Sequence, residues 1–419
     1  MTTKKAAAAA LVTSAALALA ACSGSGSGDE GAPEDSTLSF FTDKAAWEST
    51  FDDMNQASDG VTAQLDFTGY SDPDAYDAFI KQSFRTNERP DLFTWHTGDQ
   101  LSELVDNGLV AETSDIWQEA IADGDVTEEL AENYTYEGKQ YCVPMNVAYW
   151  VMYYNKDIFD QYDLEVPTTW DEFTNIADTL VDHDVTPIHQ MNVIFEFVWF
   201  QAILAGMDPD AYMGLSDGST SYTDPTVVKA MNTWHDMQSK GYFIDPGVDT
   251  DPEVLLKNGD VAMAYFGTFF TGQLTNIDET SGEDYGMFVL PSVDPDLSKT
   301  PVAVETTPLC VGADSDHEQA ALDYSSWWMG ADAQSAWSES RGDLSFNPHA
   351  EVTDQSLAEI ADQVNGDHVQ QVPRYLEATP NDIYSVASEE FGAFVTNNDD
   401  PKGHLQAIQD AADAYWADH

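Results

Sequence analysis

"YEGKQYCVPMNVAYWVMYYNKDIFDQYDLEVPTTWDEF", Tyr136–Phe173, is the stretch that decides the fold. It starts with a long extended run, interrupted by Pro144. It ends on a helix start, where Thr169 and Glu172 stand at capping-box spacing. The segment leaves one strand–helix alternation and enters another, so it reads as a crossover between two bodies. A second segment, "VAVETTPLCVGADSDHEQAALDY", Val302–Tyr324, returns from the middle of the chain into an extended stretch and then a helix. Two bodies joined by extended crossovers form a hinge with a cleft, which suits enclosing a small ligand.

Working outward, the same alternation runs through both flanks. "STLSFFT", "VTAQLDF" and "PDLFTW" read as strands, and "KAAWESTFDDMNQAS", "DPDAYDAFIKQSFRTN" and "DQLSELVDNG" as the helices between and after them. Downstream, Asp224 caps a helix with Pro225 at its first position and Gly241 as its stop. "DPEVLLKNG" reads as a shorter helix feeding the strand "DVAMAYF". Alternation of this kind predicts an α/β fold with mostly parallel strands. No fixed-period repeat is present.

The N-terminus carries an address. Lys4 and Lys5 precede an apolar run, Ala6–Ala20, which is too short to span a bilayer, and "LAAC" closes it at Cys22. That pattern predicts a signal peptide over residues 1–21 and a diacylated Cys22, the alternative being a plain secreted protein with a chance cysteine. Without a twin arginine, the general secretory route is the simpler expectation. "SGSGSGDEGAPEDS", residues 23–36, is Gly/Ser-rich and acidic with no apolar side chains to bury, so residues 22–36 read as a flexible tether. No later segment is apolar for long enough to cross a membrane.

Acidic residues number 75 against 15 basic ones, a formal charge of −60. Such a surface repels nucleic acid and anionic lipid. The carboxylates are spread along the whole chain, which fits a solvated surface in a salty, halophilic exterior. A hydrophobic fraction of 42% is that of a globular protein, not a disordered one. Beyond Cys22, only Cys142 and Cys310 remain, without zinc-site spacing, and none of the nine histidines forms a ligand motif. No metal or cofactor is expected.

Five segments in order carry a family resemblance: "PDLFTWHTGDQLSELVDNGLVAETSD", "YEGKQYCVPMNVAYWVMYYNKDIFDQY", "VPTTWDEF", "NGDVAMAYFGTFF" and "VGADSDHEQAALDYSSWWMG". Over roughly Ser36–His349 the chain resembles the extracellular solute-binding proteins of carbohydrate ABC transporters, the group that includes maltose-binding protein. The resemblance implies a two-lobe periplasmic-binding-protein-like fold, hinge strands, an interlobe ligand cleft, and delivery of a sugar to membrane permease subunits by a monomer. The expected lobes are residues 37–145 with 308–348, and 146–307 with 349–419. Because the hinge strands of this fold run side by side, it also allows a Cys142–Cys310 disulfide, against two buried thiols.

Sugar sites combine aromatic faces with polar groups that pair hydroxyls. Trp95, at the end of "PDLFTW", either stacks on the ligand or plugs a core. His96 follows it, and Asp99 either caps the next helix or accepts a hydroxyl. Asp43 and Lys44 resemble a sugar-contacting pair of the family, or are exposed loop charges. Ala148 stands where maltose-binding protein has a glutamate, which argues against maltose itself; Asn146 and Trp150 are candidates to compensate. Glu196 lies in an aromatic run where an acid needs a partner or a ligand. Trp199 is a possible platform, Phe266 and Phe269 flank Gly267, and Arg341 offers a cation or merely neutralises local acid. The runners-up are a binder of polyamine, iron or another non-sugar solute, and a secreted glycoside hydrolase. No nucleophile elbow or convincing triad motif favours an enzyme.

Overall fold

The computed structural model describes residues 37–86 and 89–418, and leaves out the side chains at 73, 74, 99, 129 and 418. The expected signal, Cys22 and the tether lie outside the described residues. Ten strands are described: β1 Thr37–Thr42, β2 Gln64–Gly69, β3 Leu92–Thr94, β4 Thr135–Tyr136, β5 Lys139–Gln140, β6 Val143–Asn155, β7 Met263–Gly267, β8 Tyr285–Phe288, β9 Thr300–Val311 and β10 Val369–Pro373. Eight of them make one sheet in the order β2-β1-β3-β9-β6-β7, with β10 beside β9 and β8 beside β6; β4 and β5 form a separate hairpin.

Among the described strand pairs, β1 with β2, β1 with β3, and β9 with β10 are parallel, and Ile188 adds isolated parallel bridges to Phe243 and to Met263 of β7. The other pairs in the sheet are antiparallel, contrary to the mostly parallel sheet expected from the alternation. The reason lies in the crossovers. β6 pairs with β9 over Val143–Tyr149 and with β7 and β8 over Trp150–Asn155. β9 in turn meets β10, then β6, then β3 along its length. Each crossover thus runs through both parts of the sheet, antiparallel to its neighbours except where β9 meets β10. β6 shows no in–out alternation, because both its faces are covered.

Helix ends follow their local chemistry. The Thr169 hydroxyl accepts from the Glu172 amide, and the Glu172 carboxylate accepts from the Thr169 amide. Asp224 accepts from the Thr226 amide, with Pro225 at the first position. Caps of this kind contribute about 1 kcal/mol each.

Two hydrophobic cores flank the crossovers. One gathers Phe51, Trp117, Trp328 and Trp337 around β1–β3; the other gathers Trp199, Trp234, Phe200 and Phe391. The first core also takes in Leu255, Phe270, Leu357 and Ile360, from segments that the expected lobe limits assign to the second lobe. Cys142 and Cys310 are joined in a disulfide with a Cα–Cα distance of 4.1 Å. Among the described residues, no helix is long and apolar enough to cross a membrane.

Candidate ligand-binding site

Residues directly opposite in an antiparallel pair share a face, and every second residue repeats it. Asn146 faces Thr307 and Ala148 faces Glu305, so Asn146, Ala148 and Trp150 share one face with Glu305 and Thr307. The residue opposite Ala148 is thus a carboxylate, Glu305. Arg374 Nη1 lies 2.7 Å from Glu305 Oε2, and Arg374 Nε lies 2.8 Å from Glu377 Oε2. Nη2 of the same guanidinium pairs with Glu377 Oε1. One cation thus serves two carboxylates. The backbone fixes this arrangement, because the Arg374 amide donates to the Val304 carbonyl at 2.9 Å.

Burial and the neighbouring Glu377 raise the pKa of Glu305, while Arg374 and Lys44 pull it down. Lys44 reaches this neighbourhood from the end of β1, where it pairs with Asp43 at 2.6 Å; Asp43 also accepts from Thr94 Oγ1 at 3.2 Å. Burial works against the charge on Arg374, but Glu305 and Glu377 outweigh it and hold the guanidinium protonated.

An aromatic wall adjoins these charges. Trp150 meets Phe195 edge-on at 5.1 Å and Phe269 at 6.3 Å, and Phe195 stacks on Phe269 at 6.4 Å. Gly267, opposite Trp150, makes this packing possible: a Cβ there would come within 2.4 Å of the Phe269 ring. Phe195 and Phe269 are only partly buried. Glu196 is 4% exposed; its Oε1 accepts from the Tyr384 hydroxyl at 3.5 Å and its Oε2 has no partner. Burial raises the pKa of Glu196. Asp343 is pushed up to about 7 by burial, against hydrogen bonds from Thr268 and the Leu344 amide, and it senses Glu305.

Lys44, paired with Asp43, thus acts on Glu305 from the end of β1. Asn146, Trp150, Glu196 and Phe269 lie on or beside one face, Trp150 itself only 1% exposed and packed against Phe195 and Phe269. Other expected residues do not. Trp95 is buried among Tyr76 and Phe93, with its indole N–H donating to the Gln100 carbonyl at 3.0 Å, so it is a core residue rather than a platform. Trp199 is likewise core, stacked on Phe173, and Phe266 is buried against Phe270. His96 Nε2 pairs with Asp77 at 3.2 Å on the side of Trp95. Arg341 lies 4.2 Å over the Trp47 ring, its pKa lowered by burial against the opposing pull of Asp343. Asp99 opens the helix Asp99–Asp106, and its side chain lies outside the described residues.

Sequence reasoning missed Glu305, Arg374, Glu377, Tyr384 and Phe195. Glu305 had a signal, an acid inside the apolar strand "TPVAVETTPLCV", and Arg374 is one of only four arginines.

Residues 49–362 match the sequence profile of the bacterial extracellular solute-binding proteins. An extracellular-binding protein of an ABC transporter from Pyrococcus horikoshii is 24% identical over 279 residues, 61% of this chain and 58% of that one. The match thus spans less than two thirds of that relative's length. A solved bacterial solute receptor with a preference for β-D-galactopyranose superposes with a TM-score of 0.72 at 18% identity, over 91% of this chain and 99% of that one. A chitin oligosaccharide binding protein gives 0.74 at 16% identity, over 91% of this chain and 100% of that one. These neighbours share the two-lobe periplasmic solute-binding fold. The profile match covers most of the chain, and the chain belongs to the bacterial extracellular solute-binding protein family.

Proposed function

We propose that this protein captures a mono- or oligosaccharide between its two lobes and delivers it to the permease of an ABC importer. The observation that carries this reading is the shared face of Asn146, Trp150, Glu305 and Thr307, walled by Phe195 and Phe269. The partly exposed rings of Phe195 and Phe269 pack against sugar C–H surfaces with Trp150 supporting them from beneath, and the polar groups pair hydroxyls. The ligands named for the structural neighbours, β-D-galactopyranose and chitin oligosaccharide, agree with this chemistry. Binding without turnover follows from the same reading. We further propose that Cys22 is lipidated and that residues 22–36 tether a monomeric body outside the cell membrane, with the lobes dividing along the two cores.

A thermal-shift screen across mono- and oligosaccharides tests the reading. A ligand at a hundred times its dissociation constant adds roughly 2.7 kcal/mol of stability. Silence across all sugars with a response to a non-sugar solute overturns it, as does turnover of chromogenic glycosides.

A further inference from the structure

The charges around the candidate site do not balance. Asp43, Glu196, Glu305, Asp343 and Glu377 supply five carboxylates, against Lys44 and Arg374 at the site and Arg341, which lies away from it over Trp47 and pulls only on Asp343. None of the three cations is spare. Lys44 is paired with Asp43, Arg374 is shared by Glu305 and Glu377, and Arg341 lies over Trp47. Glu196 has no cationic partner at all among the described contacts, and its Oε2 accepts nothing. Its other oxygen points to Tyr384, a side chain that senses Arg374 and Glu377, so this carboxylate belongs to the same cluster. Asn146 Oδ1, on the shared face, is a second buried acceptor without a donor.

Buried carboxylates in excess of cations are costly. A neutral hydroxyl satisfies an acceptor but leaves the charge. An ammonium satisfies both, because it brings three donors and a positive charge that aromatic faces also attract. We infer that the solute carries a cationic amine, as in an amino sugar, and that Glu196 is the residue selecting it. The amino-sugar form of this inference rests on the saccharide reading above; the requirement for an ammonium does not.

Without solute, protonation of Asp343 relieves part of the excess: burial pushes it up to about 7 against the pull of Arg341, and burial also raises Glu196 and Glu305, the latter against Arg374 and Lys44. An entering ammonium displaces such protons, so binding releases them to the buffer. A neutral sugar has no reason to.

The test is calorimetric titration of the full chain with glucosamine and its β-1,4 dimer, with their N-acetylated counterparts and glucose 6-phosphate as comparisons. Each is run at pH 7 in two buffers of different ionisation enthalpy, and spermidine is titrated in parallel. The expected result is at least tenfold tighter binding of the free amine than of its N-acetyl form, buffer-dependent heat showing proton release, and no binding of the phosphate. Glu196→Gln should lower the affinity for the free amine at least tenfold, towards that of the N-acetyl form, and should not lower the melting temperature, because it removes an unpartnered buried charge. A preference that survives in the folded variant overturns the role given to Glu196. Equal or tighter binding of the neutral sugars overturns the inference and leaves the saccharide reading standing. Spermidine binding with every saccharide silent keeps the ammonium but removes the sugar. Silence of every amine overturns the inference outright.

Discussion

Replacing Trp95 with Ala separates a core role from a ligand role. The indole is 3% exposed, its ring centroid lies 6.4 Å from Phe93 and 6.5 Å from Tyr76, and its N–H is bonded to Gln100. A tryptophan buries about 200 Å². At about 25 cal/mol per Å² that is about 5 kcal/mol, an upper bound because the unfolded chain already hides some of this area. Measured truncations of this type cost about 3–5 kcal/mol, which brackets the same figure. Trp95→Phe keeps most of the packing and loses the hydrogen bond, so it should cost about 1–3 kcal/mol. Urea unfolding monitored by circular dichroism gives the loss of stability for both variants. Titration of Trp95→Phe with the solute found by screening gives its affinity. We expect stability to fall by these amounts and the affinity of folded protein to stay within about twofold. A tenfold loss of affinity with an unchanged unfolding midpoint refutes the core assignment.

Asp343 makes a prediction about pH. Its folded value of about 7 lies above the ordinary carboxylate value of 3.8, so between those limits the folded state holds the extra proton. Stability therefore falls as pH rises from about 4 to 7, by up to about 4 kcal/mol for this group. Asp343→Asn should flatten that slope and gain stability at pH 8; an unchanged slope in urea titrations would contradict the burial argument. The Cys142–Cys310 disulfide closes a sequence separation of 168 residues. Loop entropy puts its contribution at about 5 kcal/mol, so the paired serine variant should lose about 2–5 kcal/mol, whereas loss of nothing on reduction would deny the bond a stabilising role.

The crossovers were legible because long extended runs leading from one alternating unit into the next have few other uses. Strand direction was not, since alternation alone says nothing about how β6 and β9 pair with each other. Helix caps such as Thr169 and Asp224 act within one turn, and local sequence is enough to find them. Trp95 shows the opposite limit. A tryptophan ahead of the Gly98 turn fits a cleft or a core equally well, and only the packing of Tyr76 and Phe93 against it decides. Glu196 was visible as an acid in an aromatic run, but Tyr384, its hydrogen-bond partner, lies 188 residues away. Glu305 was hidden for a similar reason: it acquires meaning only opposite Ala148 and beside Arg374, through register and a third segment.

Binding of the solute at the face around Glu305 is the central requirement of the proposed function. Calorimetric titration of Glu305→Gln and Phe269→Ala, alongside the unaltered protein, measures this. Removal of an aromatic anchor or of a charged hydrogen-bond partner each typically costs about 1–3 kcal/mol of binding. Both variants should fold and bind the screened solute roughly 10- to 100-fold more weakly. Unchanged affinity in both folded variants would contradict the proposed site and place the ligand elsewhere.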